Sequence, residues 1–195
     1  MSGGGTGIRQ VEIVALHVSP VYACEGRPAD GPRPDPVPVA RERITIRAGL
    51  GIVGDRYFNR RAHSQAAVTV FDAGALDDLA RRLGAATPFD PLLVRRNIVL
   101  RGFPVDELAA RRDRSGARTS GAVFGLDSGG GEVRFQAYRP ANPCAWMDVV
   151  LAPGAFRELR GRGGVRCVPL DDGELRLGPA ILTVRSRQAP PRAEG

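Results

Sequence analysis

The chain of 195 residues is long enough to bury one hydrophobic core, and a hydrophobic content of 43% places it among globular proteins. The 25 glycines and 16 prolines imply many turns, which excludes a bundle of long helices. The net charge is +7, and arginine supplies all of the permanent positive side-chain charge because the chain contains no lysine. A covalently bound pyridoxal phosphate is therefore excluded, since its Schiff base needs a lysine.

Targeting signals and disulfides are also not predicted. The N-terminus lacks a basic stretch followed by an apolar segment, and no apolar run approaches the roughly 18 residues of a membrane span. The three cysteines are an odd number without CxxC spacing, so reduced thiols are expected. These features predict a cytoplasmic protein with no membrane partner, built as a single domain over residues 9–186 between disordered tails at 1–8 and 187–195.

Short segments rich in Val and Ile, or alternating between apolar and polar residues, predict strands along most of the chain. They are residues 11–18, 43–47, 68–71, 92–100, 132–138, 165–170, 174–177 and 180–185. Asp72 is placed to cap a helix that ends at Gly84, and a second, shorter helix is predicted at 153–160. The turn at 171–173 predicts a hairpin between the segments at 165–170 and 174–177. These elements predict a mainly β fold with a few helices (α+β), organised as a β-barrel.

Two irregular stretches interrupt this pattern. Prolines recur through residues 19–39, which prevents regular strand pairing over a long excursion of a kind that is often functional or disordered. Residues 111–121 form a charged loop that contains Gly and Ser, and we expect little order there.

Cys144 is the candidate for chemistry. It follows a predicted strand and a loop closed by two prolines, with Arg139 five residues before it. A positive charge favours the thiolate, which is both a nucleophile and a ligand for soft metals such as molybdenum, copper or zinc. The alternative is a buried structural cysteine. No role is assigned to Cys24 or Cys167, and His17 and His63 lack the spacing of a metal site.

Two short motifs place guanidinium groups beside hydrogen-bonding side chains next to strands. They are Gly54-Asp55-Arg56 at the end of a glycine-rich turn and Arg95-Arg96-Asn97 between two apolar runs. Such groups suit a phosphate or a carboxylate. The alternative for each is a solvated surface.

Taken together and in order, several segments resemble the MOSC domain family, named for the C-terminal domain of molybdenum cofactor sulfurases. The segments are Gly54 to Tyr57, Val68 to Phe71 leading into a helix, Leu93 to Val99, Pro143-Cys144 and Gly161 to Val165. The resemblance runs from about Val11 to Arg185. One departure is Gly178-Pro179, where the family usually has Gly-Asp before its last strand.

The resemblance implies a MOSC-type β-barrel, similar to the pyruvate-kinase β-barrel-like fold, that binds molybdenum cofactor (molybdopterin). Cys144 matches the family cysteine that ligates molybdenum or is proposed to carry sulfur. Arg95 and Asn97 match residues near the pterin phosphate, and Gly54, Asp55 and Arg56 match the family's glycine-aspartate-arginine turn.

Three functions follow as hypotheses. The first is a molybdenum-cofactor oxidoreductase that reduces a small N-hydroxylated substrate, with electrons from a partner reductase, because the chain has no ferredoxin-like cysteine set and no GxGxxG after a strand. The second is a sulfur carrier that holds a persulfide on Cys144 after receiving sulfur from a cysteine desulfurase. The third is a basic nucleic-acid-binding barrel. It is the least favoured, because aromatic residues that could stack on bases are only 6% of the chain and are not interleaved with arginines.

Overall fold

The computed structural model describes residues 7–112, 116 and 119–185. The predicted tails fall outside these ranges except for Gly7 and Ile8, which belong to the first strand. Residues 113–115, 117 and 118 of the predicted loop at 111–121 also lie outside the described residues. No helix within the described ranges is both long and apolar enough to cross a membrane.

The described residues form ten strands, three α-helices and four short 3-10 turns. The strands are β1 (Gly7–Leu16), β2 (Arg43–Arg47), β3 (Gly51–Ile52), β4 (Val68–Asp72), β5 (Ile98–Arg101), β6 (Val123–Asp127), β7 (Val133–Pro140), β8 (Val165–Pro169), β9 (Gly173–Arg176) and β10 (Gly178–Arg185). The helices are α1 (Ala73–Leu83), α2 (Trp146–Val150) and α3 (Ala155–Glu158), and the 3-10 turns are Pro28–Asp30, Arg61–His63, Pro91–Val94 and Val105–Leu108.

Seven strands close into a barrel in the order β1-β10-β6-β7-β8-β4-β5, and a separate sheet has the order β3-β2-β9. The barrel strands pair antiparallel except β4 with β5, which are parallel and connected through α1. Closure leaves no exposed edge for the barrel. The predicted mainly β barrel is confirmed.

Alternation of side chains explains the barrel interior. Along β7, Val133, Phe135 and Ala137 are buried while Arg134 faces solvent, and Phe135 stacks on Phe124 of β6 at 5.2 Å. By contrast, every residue of β4 is buried, because α1 covers the outside of this strand. A continuous apolar run at 68–71 is the sequence signature of a strand covered on both faces.

Helix α1 forms as predicted. The Asp72 side chain accepts a hydrogen bond from the Gly74 amide at 2.8 Å, and Gly84 ends the helix with a φ of 63°. This cap satisfies an amide that has no partner within the helix.

Two predictions about strands are wrong. Residues 92–94 form a 3-10 turn, because Asp90 caps the Leu92 amide at 2.8 Å and Pro91 favours a helical start. The hairpin across residues 171–173 does not form, since β8 pairs with β4 and β7 whereas β9 pairs with β2. Buried Leu175 lies opposite Ile44 across that pair, a long-range partner that local turn chemistry cannot indicate.

Close backbone packing before β8 generates a stability prediction. Gly164 has a φ of 91°, and a Cβ built there would lie 2.2 Å from the carbonyl oxygen of Val70. We expect Gly164→Ala to destabilise the fold by more than about 3 kcal/mol, because strain at positive φ adds to a clash with rigid backbone. Denaturant unfolding followed by circular dichroism measures the change.

Gly129 is the matched control. It has a φ of 96° with nothing within 4 Å of a built Cβ, so Gly129→Ala carries the strain at positive φ without the clash. We expect a loss of about 1 kcal/mol for this variant. Equal losses in the two variants would contradict the close packing at Gly164.

Candidate functional site around Cys144

Cys144 is displayed at the surface, whereas the other two thiols are not. It follows β7 and lies two residues before α2, where its carbonyl accepts a hydrogen bond from the Met147 amide at 2.9 Å. Cys24 is 7% exposed and Cys167 is fully buried, and burial raises the pKa of both thiols. The exposed position removes the interpretation of Cys144 as a buried structural cysteine.

Arg96 holds the loop that carries Cys144. Its guanidinium donates to the carbonyl oxygens of Ala141 at 3.1 Å, Asn142 at 3.4 Å, Gly163 at 3.1 Å and Val94 at 3.3 Å. These acceptors are neutral, so the charge of Arg96 is not cancelled by a carboxylate. Burial lowers the pKa of Arg96 to about 10, with a further lowering by Arg166, and the side chain remains a cation at neutral pH.

Arg95 is already paired within the chain. It forms a bidentate ion pair with Asp35, at 2.7 and 2.8 Å, and both side chains are at least four-fifths buried. The Ser19 hydroxyl also donates to Asp35 at 2.5 Å. These hydrogen bonds hold the pKa of Asp35 down at about 2. Part of the proline-rich excursion therefore lies over the predicted anion-binding motif.

Asn97 has a buried structural position. Its amide group donates to the His17 carbonyl at 3.2 Å and to Asp55 at 3.0 Å, and its side-chain oxygen accepts from the amide and the hydroxyl of Thr69, each at 2.9 Å. Burial raises the pKa of Asp55, and the hydrogen bond that Asn97 donates to Asp55 offsets part of this rise. The two predicted motifs thus meet through Asp55 and Asn97, which join the ends of β1 and β3 to β4 and β5.

His17 is 1% exposed and neither of its ring nitrogens has a partner among the described residues. Burial lowers the pKa of His17 to about 4, and the nearby cations Arg95 and Arg56 lower it further. The imidazole is therefore neutral at physiological pH.

Arg56, the last residue of the Gly54-Asp55-Arg56 motif, faces aromatic rings. Its guanidinium lies 4.5 Å from the Tyr57 ring centroid and 5.2 Å from that of Tyr22. Gly54 enables the turn with a φ of 84°. Burial raises the pKa of Tyr22, and Cys144 raises it further.

The residues fit a molybdenum cofactor in part. Cys144 offers an exposed soft ligand, and Arg56 and Arg96 supply positive charge that no described carboxylate cancels. Arg95 fits a cofactor phosphate only if the phosphate displaces Asp35, and Asn97 has its amide hydrogens engaged. Cofactor contact by these residues stays a prediction. Within the described ranges, no group of three or more His, Cys, Asp or Glu side chains is arranged to hold a metal ion.

The sequence pattern placed Arg96 within the Arg95-Arg96-Asn97 motif but indicated no role for it separate from its neighbours, and it did not point to Asp35. Asp35 could not be found from its neighbourhood, because its partner Arg95 lies 60 positions away.

The ion pair of Arg95 with Asp35 predicts a pH-dependent stability difference. The pKa of Asp35 is lowered in the folded protein from 3.8 to about 2, so the pair stabilises the fold fully above the unfolded pKa and ceases to do so as the pH falls through the folded one. We expect Asp35→Asn to lose about 2 kcal/mol of unfolding free energy at pH 7, a deficit that shrinks as the pH falls toward 3.

Urea denaturation of wild type and variant over this pH range measures the difference. Asp172→Asn is the control, because Asp172 and its partner Arg47 are both more than half exposed and their pair should contribute little. A deficit of Asp35→Asn that stayed constant with pH would mean that charge pairing is not its origin.

Comparison with known proteins agrees with this architecture. A model of the MOSC domain family matches residues 54–182. The fold is similar to the crystal structure of the YuaD protein from Bacillus subtilis, with a TM-score of 0.66 and 14% identity over 93% of this chain and 100% of that chain. No match was found among curated proteins.

Two YiiM crystal structures are also similar in fold. The protein from Geobacillus stearothermophilus has a TM-score of 0.54 and 16% identity, over 88% of this chain and 74% of that chain. The protein from Escherichia coli has a TM-score of 0.53 and 14% identity, over 92% of this chain and 70% of that chain. With the family model covering well over half of its residues, including Cys144 and both arginine motifs, the chain belongs to the MOSC domain family.

Proposed function

We propose that this protein binds molybdenum cofactor with Cys144 as the metal ligand and reduces a small N-hydroxylated substrate. The observation that carries the proposal is the exposed Cys144 thiol on a loop that Arg96 fixes through hydrogen bonds to two of its backbone carbonyls, those of Ala141 and Asn142. A ligand side chain must be held in place by its surroundings if a metal is to be bound at a defined position. Arg96 does this for the Cys144 loop.

The remaining residues orient an anionic, aromatic ligand. The Tyr22 and Tyr57 rings hold the Arg56 guanidinium beside the site, where it can donate to an oxyanion. When bound, the cofactor supplies a redox-active molybdenum ion. Reduction of an N-hydroxyl group takes up two electrons and two protons and releases water, so the proposal includes an electron-donating reductase as partner. A cytoplasmic location would keep the Cys144 thiol reduced.

Elemental analysis tests metal ligation directly. Wild type, Cys144→Ala and Cys167→Ala are expressed side by side in a molybdenum-supplemented host and examined for molybdenum and pterin. We expect both in wild type and in Cys167→Ala, whose cysteine is fully buried, and at least a tenfold loss of molybdenum in Cys144→Ala. Absence of molybdenum from wild type, or equal content in all three proteins, would count against the proposal.

A second candidate function is sulfur carriage, and the same observation favours it, because Cys144 is the exposed thiol while Cys24 and Cys167 are buried. The Cys144 thiolate would attack the terminal sulfur of a persulfide on a cysteine desulfurase. The sulfur–sulfur bond of the donor breaks, the donor cysteine leaves as a thiolate, and Cys144 carries the persulfide.

Intact-mass spectrometry distinguishes this function. After incubation with a cysteine desulfurase and cysteine, wild type should gain one sulfur atom that a reductant removes, and Cys144→Ala should gain none. A wild-type mass that never changes would rule sulfur carriage out, whatever the molybdenum content.

A further inference from the structure

The positive charge of this protein is not spread evenly. Most arginines on the β-sheets and on α1 have a carboxylate partner, such as Arg47 with Asp172 or Arg134 with Asp171. Arg56, Arg60, Arg139 and Arg166 are among the described arginines that have no such partner. We call these four residues the arginine cluster.

The barrel brings two members of the cluster to facing positions. The register of β7 against β8 shifts between Ala137 and Pro140, so that Tyr138 and Arg139 together oppose Arg166. Such a bulge redirects side chains and is common beside functional sites. Like charges directly opposite each other on neighbouring strands destabilise a sheet unless something neutralises them.

The other two members, Arg56 and Arg60, lie on the turn after β3, beside His63. The His63 ring lies 4.2 Å from the Tyr57 ring, which in turn stacks under Arg56, and the His63 amide bonds to the Arg60 carbonyl at 2.9 Å. The ring nitrogen Nδ1 of His63 is buried and has no partner among the described residues. His63 thus lies among Arg56, Arg60 and the Tyr57 ring.

All four arginines also act on the imidazole of His63. Burial is the largest influence that lowers the pKa of His63, and Arg166, Arg139, Arg56 and Arg60 follow. His63 stays neutral there, and the charge of the cluster remains uncompensated.

A cleft of about 480 Å³ opens beside Arg139. Its described lining is rich in hydrogen-bond donors and contains no carboxylate: Gln65, Arg111, Arg112, Thr119, Tyr138 and Arg139. Arg111 and Arg112 donate to the backbone carbonyls of Asp106 and Gly116, so their charges also lack an acidic partner among the described residues. Guanidinium groups in this arrangement match the geometry of an oxyanion.

We propose that the arginine cluster binds an oxyanion group, a phosphate or a carboxylate, of the small molecule that reacts at Cys144. The substrate is therefore anionic. Only the place of reaction rests on the proposed function; anion binding by the cluster stands by itself. The oxyanion neutralises Arg139 and Arg166 and lies separate from Asp35, which already neutralises Arg95.

Thermal unfolding in phosphate and in chloride at equal ionic strength tests the proposal. Phosphate at about ten times its Kd should raise the melting midpoint of wild type by roughly 3–5 °C. Arg139→Gln and Arg166→Gln should each lose this shift, and in chloride each should melt above wild type, because removing one charge relieves the repulsion. A merely structural role for the arginines predicts lower midpoints instead.

Two further variants serve as controls. Arg166→Lys keeps the charge and should retain most of the phosphate shift. Arg176→Gln removes an exposed arginine of β9 and should leave the shift intact. If Arg166→Gln does not fold, Arg139→Gln and Arg60→Gln decide the matter.

Three outcomes would overturn the proposal. One is a wild-type midpoint that is the same in phosphate and chloride. Another is a phosphate shift in cofactor-free protein that disappears once molybdenum cofactor is bound, because the cluster would then hold the cofactor's own phosphate. The third is a single-stranded oligonucleotide that binds through these arginines, with steep salt dependence, while phosphate has no effect.

Discussion

The site depends on how one cation, Arg96, satisfies backbone carbonyls from separate parts of the chain. The segments after β7, before β5 and before β8 meet at its guanidinium. Each turns there with a backbone carbonyl oxygen that needs a hydrogen-bond donor, and Arg96 supplies it. A planar group with five donors suits this task, whereas lysine could not reach several carbonyls in one plane. The position of Cys144 follows from this constraint, because its loop begins at the carbonyls that Arg96 binds.

Arginine has three distinct roles around this centre. Arg96 binds neutral carbonyls and keeps its charge, Arg95 is neutralised by Asp35, and the arginine cluster has no acidic partner among the described residues. The chain's excess of arginine therefore cannot be treated as a uniformly basic surface. The local partner of each guanidinium decides whether it holds the fold together or is available to a ligand.

The proline-rich excursion connects fold and site. Its prolines prevent strand pairing, yet the segment is anchored through Ser19, Asp35 and the Val21 carbonyl, which accepts from Arg56 at 3.4 Å. It thereby brings the Tyr22 ring to 5.2 Å from Arg56, one of the residues that the MOSC family model matches. This segment precedes the residues 54–182 that the family model matches.

The sequence by itself determined the barrel class, helix α1 with both of its caps, and Cys144 as the residue to examine, because periodicity, capping and motif order are encoded in neighbouring residues. It also brought out both arginine motifs. Only the tertiary structure decided that β9 leaves β8 for β2, that Asp35 neutralises Arg95, and that a bulge sets Arg139 against Arg166. Each of these depends on contacts between residues far apart in the chain, whose pairing is chosen by burial and charge in the folded protein and leaves no local signal.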